Sequence, residues 1–218
     1  MELVREVLRY LGAGQSAPES LCREIPALLD ELQSKIQPRY VYRLFPVRRE
    51  NGAFCLRDTS VALSGNTART MLEDCEAVFL LACTLGAAFD TAFRAAQARD
   101  MARAVILDAC GSALVEAGCD AAERELSARC PGRFLTDRFS PGYGDMPLSL
   151  QADICGALDA SRRLGLCVGE SMTLNPQKSV TAVVGVAHRP QRARVRGCAY
   201  CNMKETCALR KSGASCQI

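Results

Sequence analysis

The sequence predicts a chain that mixes helices with strands, and three observations carry that reading. Apolar residues recur at helical spacing near the start and through the middle of the chain. A run rich in β-formers with an Asn-Gly turn lies between them. A short, bounded apolar run, Glu76 to Cys83, has the length and composition of a buried central strand.

Taken in order, Leu3, Val4, Val7, Leu8 and Leu11 form one helical stripe that ends at Gly12 and Gly14. Ser16 to Glu19 has the form of a capping box, with Pro18 in the first turn of a second amphipathic helix reaching Ile36; Pro26 is expected to kink it or move its start. Tyr40 to Val47 and Ala53 to Leu56 read as two strands joined at Asn51-Gly52, and Val61 to Leu63 as a short third. Asn66 to Leu72 is a short helix before the central strand. Thr84-Leu85-Gly86 then leads into a helix over 87–98, a strand-to-helix corner better read as a tight connection than as an anion site. Residues 100–129 read as one long, Ala-rich helix with Glu116 inside its apolar stretch, where a carboxylate requires a partner or a function. Leu148 to Leu164 is a further helix, and Val168 to Thr173 and Ser179 to Ala187 are strands separated by an Asn175-Pro176 turn.

Composition excludes several classes. With 218 residues the chain is long enough for one large domain, here placed at 1–188, and an appendage, a basic Cys-rich tail over 189–218. A net charge of +3 does not argue for nucleic acid, and no apolar run reaches the roughly 18–20 residues needed to cross a membrane. The start is charged rather than signal-like, so the expected location is cytoplasmic. The single His188 leaves no means of building a multi-histidine metal centre or a His-based triad from this chain alone.

Two stretches carry chemistry. The first is Arg138-Phe-Ser-Pro-Gly-Tyr-Gly-Asp-Met-Pro147. Pro141 and Pro147 fix φ, and Pro141-Gly142 reads as the centre of a type II turn. Such a turn holds Arg138, a planar fork for a carboxylate or phosphate, near Tyr143, which offers a ring face and a hydroxyl; together they suit a small zwitterionic or anionic ligand. The second is the tail. Thirteen cysteines without a secretion signal point away from a disulfide scaffold, and Cys198, Cys201, Cys207 and Cys216 crowd a short polar segment. Four thiolates can hold an iron–sulfur cluster or, alternatively, a zinc ion, and the spacing is not that of paired zinc knuckles. The remaining cysteines are scattered along the elements and read mostly as small core residues.

The Arg138-x-x-Pro-Gly-Tyr143 loop, the helix around Glu116, Glu170-Ser-Met-Thr-Leu-Asn-Pro176 leading into Lys178-Ser-Val-Thr181, and Val7-Leu-Arg-Tyr-Leu-Gly12 together resemble the activation domain of cobalamin-dependent methionine synthase, in its stand-alone form. The resemblance covers most of residues 1–188 and implies an α+β fold, a twisted, mostly antiparallel sheet flanked by helices. It also implies S-adenosylmethionine as ligand, held over a cobalamin that a partner protein carries. Carried over by residue, Arg138 would hold the ligand carboxylate, the Ser140-Pro141-Gly142 backbone would contact the ligand, Tyr143 would lie between ligand and corrin, and Glu116 would meet the ligand ammonium. The aromatic position of the family's last strand is Val183 or Val184 here, and no counterpart of the N-terminal aspartate of the full-length enzyme is found.

The expected role is therefore an accessory of a cobalamin-dependent methyltransferase, supporting reductive methylation and reactivation of a separate methionine synthase or other corrinoid protein, with an electron donor supplied by the tail or by a partner. The rival expectations are a non-catalytic docking partner of a corrinoid protein and a small iron–sulfur redox protein.

Overall fold

A computed structural model describes residues 2–13, 17–191 and 205–206. Its centre is β4 (Cys75–Thr84), the apolar run picked out above, buried along nearly its whole length. β4 pairs antiparallel with β1 (Arg39–Glu50) on one side and with β8 (Ser179–Ala187) on the other. β2 (Ala53–Leu56), β3 (Ala62–Leu63) and β5 (Phe134–Leu135) complete a six-stranded sheet of order β3-β2-β1-β4-β8-β5. The β1–β2 hairpin closes at Asn51 and Gly52, whose φ of 50° and 79° are those of a type I′ turn.

The two-residue period of the strands sorts the core into layers. Val78, Leu80 and Ala82 of β4 point into one core, shared with α3 (Gly65–Leu72), α6 (Leu150–Leu158) and α7 (Ala160–Leu164). Phe79, Leu81 and Cys83 point the other way, towards α5 (Met101–Arg129). On that face α1 (Glu2–Tyr10), α2 (Glu19–Lys35) and α4 (Ala87–Arg99) complete the layer. Helices on both faces of an antiparallel sheet make this an α+β fold.

α5 lies very close to the sheet side of this layer because it carries glycine where it crosses its neighbours. A Cβ on Gly118 would stand 2.5 Å from Pro38 Cβ and 2.9 Å from Cys83 Sγ, and one on Gly111 would overlap the Phe89 ring. The helix begins at Asp100, whose carboxylate accepts from Arg103 N at 3.1 Å.

Several local expectations change. The helix expected over Leu148–Leu164 is two, α6 and α7, because Asp159 adopts a left-handed conformation (φ 52°), which Asp tolerates better than most residues. The strand expected over Val168–Thr173 shrinks to β6 (Cys167–Val168), followed by a tight turn closed by Gly169 N donating to Thr173 O, before β7 (Leu174–Asn175). The Asn175-Pro176 bond is cis. α2 is capped by Pro18 without a side-chain bond and runs on through Pro26; Ser16 of the expected capping box lies outside the described residues. β5 is too short to show as a periodic pattern.

Two glycine substitutions separate packing from propensity. Gly118→Ala is expected to destabilise by about 1–2 kcal/mol, overpacking at Pro38 and Cys83 outweighing the helical gain. Gly156→Ala in α6, where an added Cβ would meet nothing within 4 Å, is expected to stabilise by up to about 1 kcal/mol. Urea midpoints of the two variants measure both.

Candidate functional site

The loop that follows β5 is built from the strand register outward. Phe139 exchanges two backbone hydrogen bonds with Val183 of β8, at 3.1 and 2.8 Å. Adjacent residues of an extended chain face opposite sides. Phe139 is therefore buried in the core shared with α3 and α6, and Arg138 is delivered to the opposite face, against α5.

There Arg138 meets three carboxylates. Its Nη2 donates to Glu116 Oε2 at 2.6 Å, and its Nη1 to Asp120 Oδ1 at 3.1 Å and to Glu123. Only 7% of the Arg138 side chain is exposed, whereas Glu116 keeps 40%. Burial opposes the charged guanidinium, but neighbouring acidic groups, Cys119 and the carboxylates of Glu123, Glu116 and Asp120, outweigh it and raise the Arg138 pKa above its ordinary value. The same edge of α5 continues to Ser112 and Asp108, both bound by Lys178 Nζ at 2.8 and 2.9 Å. Asp108, Ser112, Glu116 and Asp120 recur every fourth residue, so one polar edge of the helix carries a cation at each end. Tyr10 of α1 stands close enough that burial, helped by the Glu116 charge, raises its pKa. A cleft of about 370 Å³ beside this edge opens between α1, α4 and α5, with Tyr10, Phe93, Asp108 and Ser112 among its lining.

Beyond Phe139 the chain makes the turn the sequence predicts. Tyr143 N donates to Ser140 O at 3.1 Å across Pro141-Gly142, and Gly142 has φ 87°, the geometry of a type II turn. Met146 N returns to Tyr143 O and Gly142 N to Met146 O, at 3.0 and 2.9 Å. Pro141 is buried, Ser140 half-buried, and Tyr143 is 45% exposed at the tip beside exposed Leu148. Asp145 then accepts from Asn66 N at 2.5 Å and Thr67 N at 2.9 Å, bonds that hold its carboxyl down at about 2.

The structure thus brings Arg138 and Glu116 into direct contact and sets Ser140, Pro141, Gly142 and Tyr143 on the adjoining turn. Asp120, Glu123 and Asp145 escaped the sequence reading. The first two were detectable from their spacing of four and seven residues from Glu116 on one helix. Asp145 had no such signal, because its partners are 78 and 79 residues away. The Glu170–Thr173 segment is the turn after β6, tied down by Gln151 Nε2 donating to Met172 O at 2.6 Å. Val183 and Val184 are fully buried. Of the scattered cysteines, Cys75, Cys83, Cys110, Cys119 and Cys155 are buried, and burial pushes the Cys110 thiol up to about 12. Among the described residues no group of three or more His, Cys, Asp or Glu is placed to hold a metal ion, and no helix is long and apolar enough to cross a membrane. Cys198, Cys201, Cys207 and Cys216 lie outside the described residues.

An antiparallel sheet between two helical layers defines an α+β architecture, and the Arg-to-Tyr turn lies at the edge of its sheet, with Arg138 against α5. Among solved structures the chain is similar to the MetH reactivation domain, crystallised bound to AdoHcy, with a TM-score of 0.60 and 18% identity over 88% of this chain and 71% of that one. No family profile matches the sequence, and no curated protein does.

Two measurements probe the ion-pair cluster and the turn. Arg138→Ala leaves Glu116, Asp120 and Glu123 without their shared cation, and is expected to lower stability by about 1–3 kcal/mol, less than additively with Glu116→Gln. Asp145 has a depressed pKa in the folded state, so its contribution is fully present above the unfolded value of about 3.9 and is lost as pH falls towards 2. The difference in melting temperature between the native chain and Asp145→Asn is therefore expected to shrink between pH 4 and pH 2, read by calorimetry at each pH.

Proposed function

We propose that this chain binds S-adenosylmethionine at the Arg138–Tyr143 turn and supports reductive methylation of a cobalamin carried by a separate methionine synthase or other corrinoid protein. The observation that carries the reading is the contact between Arg138 and a half-exposed Glu116, on a fold similar to a reactivation domain that was crystallised with AdoHcy. An α-amino acid carries its ammonium and carboxylate on one carbon, so its two charges require an acid and a base side by side. Arg138 and Glu116, 2.6 Å apart, offer that pair.

The chain's own part is to bind and orient. The ligand carboxylate takes a share of the Arg138 fork, and the ammonium takes Glu116. Three carboxylates around one guanidinium repel one another, which lowers the cost of exchanging one of them for the ligand. Tyr143 is exposed at the turn and exposed Leu148 lies against Gly142, apolar groups suited to lie under a flat ring system. The chemistry belongs to the groups that would be bound: S-adenosylmethionine would give up its methyl as a cation, to a partner's cobalamin reduced by one electron from its cobalt(II) state by a separate reductant, and leave as S-adenosylhomocysteine. The cysteine tail, by ligand type and crowding, is assigned to an iron–sulfur centre on the path of that electron, with zinc as the alternative.

Calorimetry of S-adenosylmethionine binding, with and without a cobalamin-loaded corrinoid protein, tests the reading. Binding is expected to weaken by at least about 10-fold in Arg138→Ala and in Arg138→Lys, which keeps the charge but loses the fork. Corrinoid-protein binding with no dependence on S-adenosylmethionine would replace this reading with that of a docking partner. For the tail, anaerobic reconstitution is expected to give bound iron and visible absorbance; neither iron nor colour would remove the electron-transfer role.

A further inference from the structure

The two ends of the Arg138–Pro147 loop are held differently. At the first end, Phe139 is paired with Val183 and buried in the core. At the other end, Met146 is buried in the same core, and Asp145 beside it makes the polar anchor. Both carboxylate oxygens of Asp145 accept from successive amides at the start of α3, Asn66 N at 2.5 Å and Thr67 N at 2.9 Å. Thr67 Oγ1 in turn accepts from Asp145 N at 3.4 Å.

Three further features show that the contact is built. Ser64 occupies the N-cap position of α3 and is a residue type that usually caps, yet its hydroxyl makes no cap bond; the cap comes from the loop instead. Glycine stands on both sides of the contact. A Cβ on Gly65 would lie 2.7 Å from Asp145 Oδ2, and one on Gly144 would overlap Thr67 Oγ1. Both glycines also have positive φ, 96° and 57°. Between the two ends, Pro141 is buried, the turn closes on its own backbone bonds, and Tyr143 is 45% exposed.

We propose that Asp145 is a positioning residue, which clasps the far end of the Arg138–Pro147 loop to the start of α3 and so sets the turn in the shape that receives its ligand. The proposal rests on the S-adenosylmethionine reading of the loop for the ligand's identity, but not for the clasp itself. A carboxylate is required because two adjacent amides must be accepted at once. Asn offers one acceptor oxygen, and Glu is a methylene too long for the space the two glycines leave.

Amide hydrogen exchange and S-adenosylmethionine calorimetry on the full chain test it, comparing Asp145→Ala, Asp145→Asn and Asp145→Glu with Asp100→Ala, which removes the cap of α5 far from the loop. Asp145→Ala is expected to speed exchange over residues 140–147 and 65–68 and to weaken binding about 10-fold or more. Asp145→Asn is expected to fall between it and the native chain, and Asp145→Glu not to restore either property. Asp100→Ala is expected to cost a comparable few degrees of melting temperature and to change neither loop exchange nor affinity. Unchanged exchange over 140–147 in Asp145→Ala would overturn the clasp, and faster exchange with native affinity would overturn its positioning role. Native affinity in Arg138→Ala would instead count against the ligand reading, and exchange would still decide the clasp.

Discussion

The short pairing of Phe139 with Val183 is the constraint on which the candidate site depends. It adds one residue pair to the edge of the sheet, next to β5, and thereby fixes which of two neighbouring side chains faces which helical layer. Phe139 enters the core under α3 and α6; Arg138 must then emerge on the side of α5. A slip of one residue would bury the guanidinium among Leu72, Met71 and Ile154 and point the ring at a row of carboxylates. Burial of Phe139 therefore holds the register, and the register places the charge.

α5 supplies the other half through a division of its surface. One side is closely packed, and its glycines let Pro38, Cys83 and Phe89 approach where a methyl group would collide. Another edge is polar at intervals of one turn, and it meets Lys178 near its start and Arg138 further along. Surface ion pairs are individually worth little, but Arg138 is nearly buried, and a guanidinium withdrawn from water must be matched. The cluster therefore has a structural role, satisfying the withdrawn Arg138, and under the proposed function it would also present acid and base side by side to a ligand.

The turn between the anchors converts that electrostatic arrangement into geometry. Its backbone bonds run within five residues, so its shape is largely self-contained, and its two ends are tied to different elements, β8 and α3. Tyr143 and Leu148 are exposed because the turn projects from the sheet edge and not because their chemistry favours water. A loop stiffened in this way loses little conformational entropy when a ligand or a partner covers it.

Much of this was legible in the residues. The hairpin at Asn51-Gly52, the buried run of β4, the long helix α5 and the type II turn at Pro141-Gly142 each follow from local preferences that the tertiary structure leaves intact. The break at Asp159 and the turn within Glu170–Thr173 did not, since apolar residues continue beyond Asp159 and the turn is closed by Gly169 N on Thr173 O and held by Gln151, a residue of α6. The sequence by itself determined most of the elements, the buried central strand and the residue types able to take a zwitterion. Only the tertiary structure decided that Arg138 meets Glu116, Asp120 and Glu123, and that Asp145 caps a helix almost eighty residues before it. The reason is that local periodicity says which face a side chain takes, whereas the partner on that face is set by strand register and helix packing between segments that the linear order keeps apart.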